Sequence, residues 1–387
     1  MPLIHYKLYD TVNNLPDSWD RLQAHDLFLK TNFLKGLEYS CPDNITPFYV
    51  GIFKAEALVG IAIIQRVEMY FDDIFRDTSD KYLYRKAKQI VAKIVRGNAL
   101  IIGNLMHTGQ HGLYCNTQVI TFETYLNTLD SAICKIKAEI KDKQGKKIRI
   151  IAFKDYFEDD VMHQNRAFFK KHNMYKVEMQ PNMIFELPES WNSVDDYTSS
   201  LKKKYRDRYK TARKKGLNII KKELTLAEIK SKETELFQLY KTVSDNAGVN
   251  SFVLCDHHFS RLKQELENQF KIFAYFLEDI LVGFYTLILN NNRLETYFLG
   301  YNKALQYKHQ LYLNMLYDMA SFAIENKYSA IIYARTAMEI KSSVGAKPRT
   351  MYIYMKHTNN LVANTLLKFI VKYLNPITVW QERHPFN

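Results

Sequence analysis

One local pattern occurs twice in this chain. A short apolar run, a tight polar turn and the tripeptide Leu-Val-Gly lead into a second apolar run. The first copy is Leu58-Val59-Gly60 entering 61–65, and the second is Leu281-Val282-Gly283 entering 284–289. Apolar runs joined across a tight turn predict β-hairpins. Each hairpin is preceded by two helical patterns and followed by a strand, a long helix and a buried strand. That repeated order predicts an internal duplication. The chain has 387 residues, more than the roughly 250–300 that a single core serves. Two domains are therefore expected, over 1–190 and 217–387, joined by a basic helical connector over 191–216.

Hydrophobic periodicity fills in the elements. In the first half it predicts strands over 4–9, 48–53, 58–68, 99–105, 148–153 and 183–187. Helices are expected over 17–24, 28–40, 122–143 and 161–171, with a basic amphipathic helix over 77–95 as an insertion. In the second half, strands are expected over 217–224, 272–277, 281–289, 294–299, 330–334 and 351–356. Helices are expected there over 225–244, 256–267, 310–326 and 339–344. The class is α/β (α+β), with a mixed, mostly antiparallel sheet flanked by helices in each half.

The composition is globular, with 47% hydrophobic and 25% charged residues, 13 Gly and 9 Pro. This excludes disordered and collagen-like chains. No stretch reaches the roughly 18 apolar residues of a membrane span, and residues 1–10 lack a charged-then-apolar leader pattern. The four cysteines, Cys41, Cys115, Cys134 and Cys255, form no CxxC. A reduced cytoplasmic setting is expected, with no metal site.

The net charge of +13 is concentrated. Residues 202–222 hold eleven Lys or Arg and one acid, Asp207, a net +10. Leu201, Tyr205, Tyr209 and Ala212 recur at helical spacing within this stretch, so the other faces of the helix are basic. Ser199 or Ser200 is a candidate N-cap, and Gly216 a candidate stop. A solvated charged face and an anion site both fit. An anion site would meet nucleic acid, a nucleotide-linked substrate, a coenzyme phosphate or an anionic lipid.

The element order resembles the GNAT acyltransferase fold. Two such units in tandem resemble the Fem-type aminoacyltransferases that build peptidoglycan bridges, and related peptidoglycan-biosynthesis-like N-acyltransferases of bacteria. Three stretches carry the resemblance: Lys202-Lys203-Lys204-Tyr205-Arg206-Asp207-Arg208 to Gly216, Leu281-Val282-Gly283 to Asn302, and Ala334-Arg335-Thr336-Ala337-Met338-Glu339 to Pro348. It covers most of the second half and the first half more loosely. The resemblance implies an acyltransferase moving an acyl group onto an amine of a cell-envelope or lipid-type acceptor. The implied donor is acyl-CoA or acyl carrier protein, with aminoacyl-tRNA as the rival. A non-catalytic RNA- or membrane-binding protein on a GNAT scaffold remains a third reading.

The chain departs from the family at 301–310, where ordinary GNAT enzymes carry a glycine loop for the coenzyme pyrophosphate. Lys303, Lys308 and His309 stand there instead, beside a helix N-terminus that attracts phosphate. Acyl transfer needs a base for the acceptor amine and donors for the oxyanion. Glu295 and Tyr297 alternate on one expected strand and share a face, with Glu295 the first candidate base and Glu339 the alternative. Lys203, Arg206 and Arg208 on the basic helix, and Arg335, Thr336 and Lys341 past the strand over 330–334, are candidate phosphate or substrate ligands. A solvent-facing Glu295 and a helix-capping cluster around Glu339 are the plainer readings. In the first half, Asn104 and His111 lie in a Gly-flanked loop after a strand and are candidate substrate contacts. The C-terminal stretch 361–373 is apolar with Lys368 and Lys372, which fits core packing or a membrane-surface helix.

Overall fold

The Leu-Val-Gly repeat has a structural cause that emerges from the strand register. The computed structural model of the protein describes residues 3–22, 26–69, 97–246, 251–374 and 380–387. The helix expected over 77–95 lies outside the described residues. The strands are β1 (Ile4–Tyr9), β2 (Ile45–Lys54), β3 (Ala57–Met69), β4 (Gly97–Ile102), β5 (Leu113–Cys115), β6 (Ile148–Phe157), β7 (Tyr175–Glu186), β8 (Ile219–Glu223), β9 (Phe270–Leu277), β10 (Ile280–Asn290), β11 (Arg293–Tyr301), β12 (Ala330–Ile332) and β13 (Lys347–His357). The described α-helices are α1 (Trp19–Leu22), α2 (Thr31–Glu38), α3 (Phe122–Gln144), α4 (Arg166–Lys171), α5 (Val194–Ser200), α6 (Lys203–Lys215), α7 (Leu226–Ser231), α8 (Glu233–Ser244), α9 (His258–Leu266), α10 (Lys303–His309), α11 (Leu311–Glu325), α12 (Met338–Ser342) and α13 (Leu361–Leu374).

The chain forms two compact units. Unit 1 comprises Met1–Met179, Gly248–Leu254 and Thr350–Ile377. Unit 2 comprises Gln180–Ala247, Cys255–Arg349 and Thr378–Asn387. The stretch read from sequence as a connector falls inside unit 2, and much of the expected second domain's tail falls inside unit 1. Strand pairing is the reason. From Met351 to His357, β13 runs antiparallel to β6, and Leu367 of α13 is buried with Ile150, Ala152 and Met355.

Each unit repeats one ladder. In unit 1, β1 to β4 pair antiparallel in sequence, β4 pairs parallel with β6, and β6 pairs antiparallel with β13. In unit 2, β8 to β11 pair antiparallel, β11 pairs parallel with β12, and β12 pairs antiparallel with β7. The long helices α3 and α11 make the crossovers that the parallel steps need. In both hairpins the Leu-Val-Gly valine is an extra residue. Ile52 pairs Gly60 and Phe53 pairs Leu58, while Leu281 pairs Phe276 and Gly283 pairs Tyr275. Val59 and Val282 are therefore bulge residues, which bend and twist the strand. The glycine after each bulge makes room for the crossover helix. A Cβ on Gly60 would lie 2.8 Å from the Tyr125 ring, and one on Gly283 2.7 Å from Met315 Cε.

Several element bounds differ from expectation for local reasons. The helix expected over 225–244 is two, because a Thr225–Glu228 capping box starts α7 and Lys232 interrupts the run. The helix expected over 310–326 starts at Leu311, because Gln310 adopts φ 51. The strand expected over 330–334 ends at Ile332, with Ala334 already at φ 57. Ser199 and Ser200 close α5, which is capped by Ser193, instead of capping α6.

Candidate functional site

The parallel ladder of unit 2 stops at the pair Glu295–Ile332. Past it β11 and β12 part, and the loop after β12 is irregular. Ala334, Thr336 and Ala337 take φ of 57, 65 and 48. Left-handed backbone at non-glycine residues is costly and persists only where the surroundings impose it. Lys341 imposes it here. The side chain is buried, and Nζ donates to the carbonyls of Ala334 (3.3 Å) and Arg335 (2.6 Å). Burial lowers this ammonium to about 7. Burial also lowers the Arg335 guanidinium to about 10, so it remains a cation at neutral pH.

Helix α6 supplies the facing wall. Tyr205 and Ala212 are buried, as is Leu201 just before the helix, with Tyr209 packed against the same core. This fixes which lysines and arginines point outward. Arg208 Nη1 donates to Ser343 Oγ at 2.6 Å, tying α6 to the end of α12. The C-terminal segment closes the third side. Phe386 pairs with Leu201 through a β-bridge and packs on Phe185, Trp191 and Tyr197. Arg383 N–H donates to Ser342 Oγ, and its guanidinium holds the exposed Glu339 carboxylate.

The result is a cavity of about 750 Å³ within unit 2, walled by Lys204, Arg208, Thr336, Glu339, Trp380 and Arg383 among others. Three cations face one carboxylate, and that carboxylate is already paired. Such a cavity favours an anionic guest, because arginine and lysine heads meet phosphate or carboxylate oxygens with charge-assisted hydrogen bonds.

The structure brings the expected Arg208, Thr336 and Glu339 together in this wall. Lys203 is exposed at the first turn of α6, and Arg206 turns back to the Leu201 carbonyl at 2.8 Å; neither lines the cavity. The reading of Lys341 as a phosphate ligand gives way to its bracing role under the loop. The expected phosphate cluster of 303–309 does not assemble. Lys303 donates to Asn246 at 3.1 Å, Lys308 is exposed, and His309 is buried with Nδ1 3.2 Å from the Lys215 carbonyl. Two helix amides there are occupied as well. The Asn302 side chain accepts from Ala304 N–H, and the Gln306 side chain accepts from Tyr312 N–H. Lys204, Trp380 and Arg383 escaped the sequence reading. Lys204 was visible on the basic helix, but nothing local marks a C-terminal tail that folds back.

Glu295 and Tyr297 lie apart from the cavity lining. Glu295 is buried at the last rung of the parallel ladder, which corrects the reading of a solvent-facing carboxylate. Tyr285 pairs Leu299 and Leu287 pairs Thr296, so β11 bulges across Tyr297–Phe298. The bulge breaks the simple alternation that put Glu295 and Tyr297 on one face. Tyr297 Oη lies 3.2 Å from Nε2 of the buried His258, and the two rings stack. His258 also escaped the sequence reading, as one histidine on the apolar side of a helix.

In unit 1, the Asn104 side-chain oxygen accepts from Gln65 Nε2 and Met106 N–H. His111 Nδ1 lies 2.7 Å from Asp26 Oδ2, and its ring tilts against Phe28 and His107. Burial holds His107 well below the usual histidine range, with His111 and Lys154 adding to the effect. Lys154 Nζ reaches the carbonyls of His107 (2.7 Å) and Gly109 (3.4 Å) and pairs with Asp155 at 2.6 Å.

No protein-family model matches the chain, and no curated protein matches its sequence. Solved structures do. The chain aligns with FemX at a TM-score of 0.54 and 10% identity, covering 95% of this chain and 100% of that one. It aligns with a tandem GNAT protein from the clavulanic acid biosynthesis pathway at 0.53 and 8% identity, covering 92% and 98%. The fold is GNAT-like. At these identities the likeness is one of fold, and it agrees with the expected mixed α/β architecture. Within this GNAT-like fold, the occupied helix amides at Ala304 and Tyr312 stand where the sequence lacks the glycine loop.

Proposed function

We propose that the protein is a GNAT-type N-acyltransferase whose unit 2 cavity receives the phosphates of an activated acyl or aminoacyl donor. The acceptor would be an amine of a cell-envelope or lipid-type molecule. The observation that carries this reading is the cationic wall of Lys204, Arg208 and Arg383 around a cavity of about 750 Å³. The shared fold supports it by analogy. In the reaction the base takes a proton from the acceptor ammonium, and the freed amine attacks the donor carbonyl. A C–N bond forms, and the ester or thioester bond breaks with loss of the alcohol or thiol. Glu295 is the candidate base, acting directly or through water, and Tyr297 with His258 the candidate proton donor to the leaving group. Glu339, held by Arg383, fits a positioning role better than that of a base.

Two donors suit a cationic cavity. Acyl-CoA (or acyl carrier protein) is the general GNAT expectation. Aminoacyl-tRNA is favoured by the lack of a glycine loop over 301–310, where the Ala304 and Tyr312 amides are taken by Asn302 and Gln306 side chains. The basic outer face of α6 extends the charge a polyanion needs. Binding of aminoacyl-tRNA and of acetyl-CoA to the full chain, with turnover of the bound donor by Glu295→Gln, tests the reading. A tRNA donor predicts affinity falling at least about tenfold between 50 and 200 mM salt. Glu295→Gln is expected to lower turnover about 100-fold with donor affinity kept. Unchanged turnover in that variant sinks Glu295 as the base, and absence of turnover by the parent chain sinks the transferase reading in favour of the non-catalytic alternative.

A further inference from the structure

Helix α13 is apolar on both sides, and its two sides have different surroundings. Leu367 is fully buried with Ala99, Ile150, Ala152 and Met355, and Val371 packs on the same cluster. The opposite side carries Leu361, Val362, Leu366 and Phe369, which are 67%, 74%, 45% and 53% exposed. At about 100° per residue these four fall within about 140° of the helix circumference. A helix that is apolar all round is normally buried, and single exposed apolar residues are ordinary, whereas four on one face are not. The core-packing reading of this stretch therefore accounts for one face only.

The same helix borders a basic groove. A depression of about 820 Å³ in unit 1 is walled on one side by Val362, Ala363 and Leu366. On the other side stand Lys137 and Lys141 of α3, with Lys147 and Arg149 at the start of β6. The three lysines make no ion pair among the described residues, and Lys368 adds a further exposed cation on α13. No described helix is long and apolar enough to cross a membrane.

We propose that this face of unit 1 docks onto an anionic bilayer surface. Leu361, Val362, Leu366 and Phe369 would enter the headgroup boundary, and Lys137, Lys141, Lys147 and Arg149 would meet lipid phosphates. Amphipathic surface helices bind by this pairing of apolar insertion with cationic attraction. The apolar side chains decide against nucleic acid, which would gain nothing from four exposed aliphatic and phenyl groups in a row. Lipid docking is independent of the transferase reading, because vesicle binding and turnover are separate measurements.

The experiment is co-sedimentation of the full chain with vesicles of neutral phosphatidylcholine, and of phosphatidylcholine with about 30% phosphatidylglycerol. The protein is expected to sediment with the anionic vesicles at least about tenfold better than with neutral ones. Val362→Glu with Leu366→Glu, and separately Lys137→Glu with Lys141→Glu, should each cut that binding about tenfold. All four positions are at least partly exposed, so thermal melts should match the parent. Binding by both variants equal to that of the parent overturns the proposal, as does failure of the parent to bind either vesicle. So does vesicle binding that survives in both variants while binding to bulk tRNA is lost.

Discussion

Each unit braces the loop after a sheet strand with one buried lysine, and the two lysines differ in their company. In unit 1, Lys154 reaches the His107 and Gly109 carbonyls and is neutralised by the buried Asp155. In unit 2, Lys341 reaches the Ala334 and Arg335 carbonyls, with no acid beside it among the described residues. The first loop is locked by a charge pair. The second rests on an ammonium that burial brings down to about 7. The comparison teaches that a cationic cavity can be built beside a lysine whose charge burial disfavours, so the brace adds less repulsion against the cavity's own cations than an ordinary lysine would.

The largest expected effect breaks the unit 1 brace. Lys154→Met leaves Asp155 buried without its cation and should cost about 3–5 kcal/mol of stability. Urea unfolding measures it, and a loss below about 1 kcal/mol would show that the pair is not the brace.

The pH response sharpens the contrast. For Lys341 the folded value is about 7 against an ordinary 10.5. Between those values the unfolded chain holds more protons, so stability rises with pH across that window and falls back as pH drops to 7. The slope is up to about 1.4 kcal/mol per pH unit. Lys341→Met should flatten it, and a wild-type curve already flat from pH 7 to 10 would refute the assignment. His107 follows the same sign in a lower window. Its folded value is depressed, so stability should fall as pH drops through 6.5, and His107→Asn should remove that part. NMR titration of the ring checks it directly, with no protonation expected near pH 6.5.

A smaller effect concerns the rim. Arg383→Gln releases Glu339 and removes one cavity cation. Donor affinity should fall about tenfold with the unfolding midpoint nearly unchanged, since the pair is solvent-exposed.

Much of the fold was legible because it is local. The hairpin turns at Glu278-Asp279 and Asn290-Asn291-Asn292 were readable from polar turn residues, and Glu278 and Asn291 take the positive φ such turns need. The α6 stripe of Tyr205, Tyr209 and Ala212 was readable as one packed face, although Leu201 precedes the helix in extended backbone. The strand of residues 175–182 was missed although Tyr175, Val177 and Met179 alternate with polar neighbours. What stayed hidden is long-range. No local signal says that residues 350–357 complete unit 1, or that Arg383 returns to Glu339. The strained loop of 334–337 was equally silent, because alanine and threonine at positive φ contradict their own preferences and are held there only by tertiary contacts.

The central question is whether the unit 2 cavity holds donor phosphates. The decisive measurement is the salt dependence of aminoacyl-tRNA binding, for the parent chain and for Lys204→Gln with Arg208→Gln. Each phosphate contact contributes about 0.7–0.9 to the slope of log affinity against log salt. In the double variant a slope shallower by about 1.5 and a weaker complex at low salt are expected. An unchanged slope, with affinity intact, would contradict donor binding in this cavity.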